Sequence, residues 1–385
     1  MKIKINRQAL INKLNHVTKA LPIKTTISIL TGIKFVTTEN GISLTASDSD
    51  ITINSWIPLE VFTEKGKVQL IEIEKTGGIV IPGKYFFEII RKLDTDVIEI
   101  NTFDETDILI RGDKGEYTLK GLSAENYPQI ELSNVLYQFT MSTAELKTVI
   151  AQTIFSVAVS ESRPALTGIN FNFANGLLSC TATDTFRLSQ RTARLPNSDL
   201  PEFNVTIPGR SLSELGKIID VADPDTLISI TNNQILFKNA DISFQSRLLE
   251  GSYPNVASFI PTTFEIEVAV SYRELFNAVD RVSLMAREDR ANVAKISVLP
   301  EDNHMVIKSD SSEIGKIEEV VKIKKQTGSK LQLACSSLFL LDSLKAFENN
   351  DDITFGFNGD MKPFVVLNDQ DDSNLQLIVP VRLED

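Results

Sequence analysis

The chain has 385 residues, 42% of them hydrophobic and 23% charged, with a formal net charge of −12 at neutral pH. That is the make-up of a globular protein with room for two or three domains, and it excludes collagen-like, low-complexity and disulfide-framework classes. Cys180 and Cys335 are lone, distant thiols, the first residues carry charge without an apolar stretch, and no apolar run reaches bilayer length. These features lead us to expect a cytoplasmic protein with no membrane contact.

In chain order, Ile3 and Ile5 alternate as a strand, and Leu10, Leu14, Val17 and Leu21 then mark a helical stripe. Two strands follow, Ile33 and Phe35 against Ile42, Leu44 and Ala46, across the hairpin signal Glu39-Asn40-Gly41. A second helix is expected over 84–93, and further strands complete the segment.

The same order then repeats. Phe139 and Met141 precede a stripe of Leu146, Val149, Ile150 and Val157; Phe171 and Phe173 face Leu178, Cys180 and Ala182 across Asn175-Gly176; a helix follows over 210–219. The third pass runs from Val268 and Val270 through Leu275, Val279 and Val282, to a pair of strands around Glu301-Asp302-Asn303 and a helix over 336–347. Ser142 with Glu145 and Ser271 with Glu274 have capping-box spacing. Ile81-Pro82-Gly83-Lys84 reappears as Ile207-Pro208-Gly209-Arg210 about 126 residues later, and Tyr127-Pro128 recurs as Tyr253-Pro254. That period suits a whole domain rather than a solenoid unit. The fold class is therefore α+β, in three repeated domains of two helices packed on antiparallel sheets. The boundaries fall at 1–133, 134–262 and 263–385.

Enzyme chemistry finds little support. Gly78 to Lys84 has the spacing of a phosphate-binding loop, but Tyr85 stands where Ser or Thr should hold the metal, and Ile79-Val80-Ile81 reads as a strand. Nucleotide chemistry at Lys84 and a protein-only scaffold remain the competing classes. His16 and His304 are the only histidines, without ligand spacing, so neither a metal nor a cofactor is expected. Asp48/Asp50 and Asp369/Asp371/Asp372 read as turn carboxylates.

Charge placement is more informative. The predicted helices, counted with Lys19 and Lys24 on the first and with Arg287, Glu288, Asp289 and Arg290 on the fifth, sum to about +7, leaving about −19 elsewhere. Basic helices on an acidic protein imply one surface facing a polyanion while the rest repels it.

Thr183-Asp184-Thr185-Phe186-Arg187-Leu188, together with Leu377-Ile378-Val379-Pro380-Val381-Arg382-Leu383, closely resembles the bacterial sliding clamps, the beta subunits of DNA polymerase III, in their Gram-positive form. Ser162 to Gly168, Ser246 to Pro254 and Met361-Lys362-Pro363-Phe364 extend the resemblance over the whole chain. It implies a head-to-tail ring dimer around duplex DNA, acting as a non-catalytic processivity factor. The partners implied are duplex DNA, gripped without regard to sequence, the replicative polymerase, the clamp loader and other proteins carrying clamp-binding peptides.

By motif matching, the resemblance also implies a pocket for peptides of the Gln-Leu-x-Leu-Phe kind. It is formed by Leu166, Thr183, Phe186, Arg187, Leu188, Pro254, Met361, Pro363, Val379, Pro380, Val381 and Arg382. Arg187 and Arg382 are expected to meet polar or acidic peptide atoms. Thr185-Phe186 replaces the Gly-His often found there, and Ser258 stands where some relatives carry Arg. Lys13, Lys24, Lys84, Arg91, Arg163, Arg210 and Lys217 are expected to face DNA. Tyr117 and Leu119, with Leu284 and Met285 opposite, are expected at the dimer interface.

Overall fold

The computed structural model describes residues 1–385 except 65, 104–105, 129–133, 197–199, 287–291, 312–314 and 383–385. The expected boundary at 133, the charged run Arg287 to Arg290 and Leu383 of the terminal motif lie outside the described residues. The chain divides into two compact units, residues 1–144 with 214–248, and residues 145–213 with 249–385.

Six α-helices are described: α1 Arg7–Val17, α2 Gly83–Lys92, α3 Thr143–Thr153, α4 Gly209–Ile218, α5 Tyr272–Ala286 and α6 Ser337–Lys345. They come in pairs, one pair to each repeat. Helix α1 buries Leu10, Leu14 and Val17, and Asn6 caps it by accepting the Ala9 N–H. It ends before Lys19 and Lys24, which lie on the turn and loop beyond it. The expected helical charge was therefore too high by those two lysines: α1 stops at Val17, and a short 3₁₀ turn over Thr18–Ala20 carries the chain onward. The Pro82-Gly83 start of α2 is a packing device, since a Cβ on Gly83 would lie 2.6 Å from the Leu21 side chain.

The first unit holds a nine-stranded and a five-stranded sheet, and the second a twelve-stranded sheet. Strands alternate as one-sided burial requires; Ile51–Pro58 buries every second residue. Asn175 and Gly176, both at positive φ, make the two-residue turn between Gly168–Ala174 and Leu177–Thr183. In the last repeat, Phe355, Phe357 and Phe364 pack with centroids 5.4–6.1 Å apart over the core that α5 and α6 cover.

Two strand pairings carry each sheet from one repeat into the next. Within the first unit, Ile51–Pro58 pairs with Ile242–Arg247, placing Ile51 opposite Ser246 and Thr52 opposite Gln245. Within the second, Arg187–Arg194 pairs with Asp371–Ile378, placing Arg187 opposite Ile378 and Leu188 opposite Leu377. Among the strand edges left open in the described residues, two are of the kind that these joints use. Glu116–Lys120 ends the five-stranded sheet, bonded only to Asp107–Arg111. In the long strand Gly315–Thr327, residues 315–322 pair on one side with His304–Ser311, while the other edge is bonded only from Ile323 onward.

Candidate functional site

A cavity of about 380 Å³ in the second unit is lined by Arg163, Leu166, Thr183, Thr185, Arg187, Leu188, Pro254, Val256, Phe259, Pro363, Leu377 and Val379. A tight turn builds its lip. The Asp184 Oδ1 accepts the N–H groups of Phe186 and Arg187, each at 3.0 Å, and the Thr183 hydroxyl accepts the Thr185 N–H at 3.1 Å. Thr185 is held at φ +79°, a left-handed conformation unfavourable for a β-branched residue. The cross-strand pair Leu188 and Leu377, each 4% exposed, backs the cavity. Apolar walls with a few backbone groups at the rim suit apolar side-chain anchors on a short chain.

Several expected pocket residues lie elsewhere. Phe186 (62% exposed) and Met361 (49% exposed) stand outside the lining. Val379 lines the cavity and donates its N–H to the Phe186 carbonyl at 2.9 Å; Pro380 is buried; Val381 instead donates to the Ala334 carbonyl at 2.8 Å, and Arg382 is exposed. The terminal segment is thus stitched to the Asp184 turn and to the strand Leu331–Ser336, and shows the cavity only its first residue. Val256, Phe259, Thr185 and Leu377 are lining residues that sequence reading left out of the set. The neighbouring Ser258 was the signal for Phe259.

Two of the five N–H donors of Arg187, which lines the cavity, are already held by carboxylates. Its Nε donates to Asp184 Oδ2 at 3.0 Å and its Nη1 to Asp342 Oδ2 at 2.9 Å, while the guanidinium lies 4.3 Å from the Phe339 ring centroid. With only 11% of the side chain exposed, it is a wall brace. Arg187→Ala is expected to destabilise the second unit by about 2 kcal/mol, less than a fully buried pair because Asp342 is partly solvated. Arg187→Lys should not restore the loss, lacking the planar fork. A urea midpoint equal to that of the parent protein would show that the brace contributes nothing.

The expected DNA-facing cations have different surroundings. In the first unit, Lys13, His16, Lys19 and Lys217 line an open groove of about 700 Å³ between helices. Lys13 is paired with Asp241, Lys217 with Glu214 at 2.7 Å and Arg91 with Glu88 at 2.9 Å. Burial, reinforced by Lys13 and opposed by Asp241, holds the His16 pKa below its ordinary value, so the lysines carry the groove's charge at neutral pH. Lys24 and Lys84 are exposed and make no ion pair among the described residues, Arg210 is exposed at the start of α4, and Arg163 lines the apolar cavity.

Tyr117 (42% exposed) and half-buried Leu119 lie on the open strand Glu116–Lys120. Leu284 (62% exposed) and half-buried Met285 lie in the last turn of α5. The nucleotide-loop alternative fails on geometry: Gly77–Pro82 is a strand bonded to Gly32–Thr38, not a cradle of free backbone donors. The Asp48 Oδ1 accepts the N–H groups of Asp50 and Ile51, which is a turn role. No helix among the described residues is long and apolar enough to cross a membrane.

Repeats of paired helices on antiparallel sheets, joined strand to strand, with an apolar cavity closed by a terminal segment, define the DNA-clamp class of fold. Family models for the DNA polymerase III beta subunit match its N-terminal domain at residues 1–131, its central domain at 140–255 and its C-terminal domain at 257–382. Two curated relatives are the beta sliding clamps of Bacillus subtilis, 41% identical over 99% of this chain and 100% of the relative, and of Staphylococcus epidermidis, 40% identical over 99% of each. The crystal structure of the Bacillus subtilis sliding clamp covers 100% of both chains with a TM-score of 0.92 and 40% identity. The beta subunit of Streptococcus pyogenes does so with a TM-score of 0.91 at 31% identity. This chain belongs to the DNA polymerase III beta subunit family, the bacterial sliding clamps, and is of the Gram-positive type.

Proposed function

We propose that the protein is a DNA sliding clamp that works as a head-to-tail homodimeric ring of repeats 1–133, 134–262 and 263–385. It acts in the cytoplasm, without catalysis or cofactor, and tethers the replicative polymerase and other peptide-bearing partners to duplex DNA. The carrying observation is the pair of open edges, Glu116–Lys120 and residues 315–322 of Gly315–Thr327. Each matches one side of the joints that Ile51–Pro58 makes with Ile242–Arg247 and Arg187–Arg194 makes with Asp371–Ile378. Carrying that register to a second copy sets Tyr117 opposite Ile317 and Leu119 opposite Gly315. Two such junctions close a cyclic dimer and cap edges that would otherwise invite aggregation. Lys13, Lys24, Lys84, Arg91, Arg163, Arg210 and Lys217 are the cations assigned to phosphate contacts, which carry no sequence information. Those already paired with carboxylates contribute weakly, which favours sliding.

The test is topological. Protein placed on nicked circular DNA by a clamp loader should co-elute with it on gel filtration, and cutting the circle once should release nearly all of it. Equal retention on both forms would reject encirclement.

A further inference from the structure

The first unit holds a second cavity, of about 280 Å³, built on the same frame as the apolar pocket. The Asp48 turn repeats the Asp184 turn, with carboxylate-to-amide bonds of 3.0 and 2.9 Å, and Ser49 at φ +83° repeats Thr185 at +79°. Pro128 lines this cavity as Pro254 lines the other, each following a tyrosine whose phenol burial pushes up in pKa, Tyr127 to about 12. The two strand joints set Thr52 where Leu188 stands, Gln245 where Leu377 stands and Arg247 where Val379 stands. Three apolar wall positions are polar here.

That exchange inverts what the cavity can hold. Gln245 Nε2 donates to Gln234 Oε1 at 2.8 Å, which fixes both amides and leaves the Gln234 amide N–H groups and the Gln245 carbonyl for a ligand. Arg247 is anchored by its backbone N–H to the Asp50 carbonyl at 2.9 Å, while its exposed side chain makes no ion pair among the described residues. Leucine or phenylalanine would strand these polar groups without partners. A carboxylate at Arg247 gains a charge-assisted pair. Asp50 also lines the cavity, so one carboxylate flanked by hydroxyl or amide donors fits better than an acidic run.

We propose that this cavity is a second binding site, for a short polar peptide segment of a partner protein carrying a single acidic residue. Its carboxylate meets Arg247 and its neighbouring polar groups meet Gln234 and Gln245. The two cavities of one chain then take chemically opposite segments.

The probe is a seven-residue peptide with one glutamate among serine, asparagine and glycine, titrated into the full-length protein without DNA and followed by saturation-transfer NMR. We expect saturable binding that falls about fivefold or more in Arg247→Gln and in the glutamine-for-glutamate peptide, as loss of a charge-assisted hydrogen bond implies. Lys330→Gln, which removes the same charge elsewhere, should change nothing. A Leu/Phe-anchored peptide in excess should not compete. Absence of saturation, equal binding by Arg247→Gln, or displacement by the apolar peptide would each overturn the site. Equal occupancy by inorganic phosphate would make it a plain anion site and overturn the peptide assignment. Because no DNA is present, the outcome is separate from that of the ring.

Discussion

Replacing Leu119 by aspartate is expected to leave a folded monomer that no longer stays on circular DNA. Leu119 sits on a strand bonded on one side only, so the substitution removes no strand partner within the chain. Across the proposed junction, however, it puts a carboxylate into an apolar strand pairing. Losing a buried leucine costs roughly 1.5–3 kcal/mol, and desolvating the new charge adds a comparable amount. A cyclic dimer has two identical junctions, so the effect doubles to about 8 kcal/mol, on the order of a 10⁶-fold weaker dimer. Sedimentation at micromolar concentration should show a monomer with the far-ultraviolet circular dichroism of the parent protein. If the variant sediments as a dimer, Glu116–Lys120 is not the junction strand.

Features that depend on a few neighbouring residues were legible in the sequence. The Asn175-Gly176 turn, the alternation of Ile42, Leu44 and Ala46 and the second helix of each repeat follow from local periodicity and turn chemistry, and each formed where expected. The end of α1 was misplaced because Leu21 continues the apolar spacing although the chain has already left the helix; Leu21 packs on Gly83 from a different segment. The cap at Asn6 went unread because an asparagine closing a strand carries no distinctive pattern.

The candidate site divides in the same way. The Thr183 to Leu188 turn is local and announces itself. Leu377 reaches the cavity through strand register, and Val256 and Phe259 through a loop, neither of which spacing reveals. The ion pairs of Arg187 went unread for the same reason: its partner Asp342 is 155 positions away. Sequence supplies residue types at a site, but which donors are already bonded is settled by tertiary pairing.

The apolar pocket meets its strictest test at Val379, the one terminal residue whose side chain reaches it. Val379→Glu keeps the backbone N–H that bonds the Phe186 carbonyl, and the side chain is only half-buried, so fold and dimer should survive with a melting temperature lowered by a few degrees at most. The binding surface changes sharply: a carboxylate now faces walls of Leu166, Leu188, Pro254, Pro363 and Leu377. A peptide with leucine and phenylalanine anchors gains roughly 1.5–3 kcal/mol from burying each, before ordering costs. It must now either desolvate the carboxylate or forgo one anchor. A loss of about 3 kcal/mol, or 100-fold or more in Kd, is the expected result by fluorescence anisotropy. Polymerase stimulation and loader-dependent placement on nicked circles should both disappear while the dimer persists on sedimentation, the reverse of a junction defect, in which the dimer goes first. Should Val379→Glu bind such a peptide within threefold of the parent protein, the cavity in the second unit is interior packing and the partner site lies elsewhere.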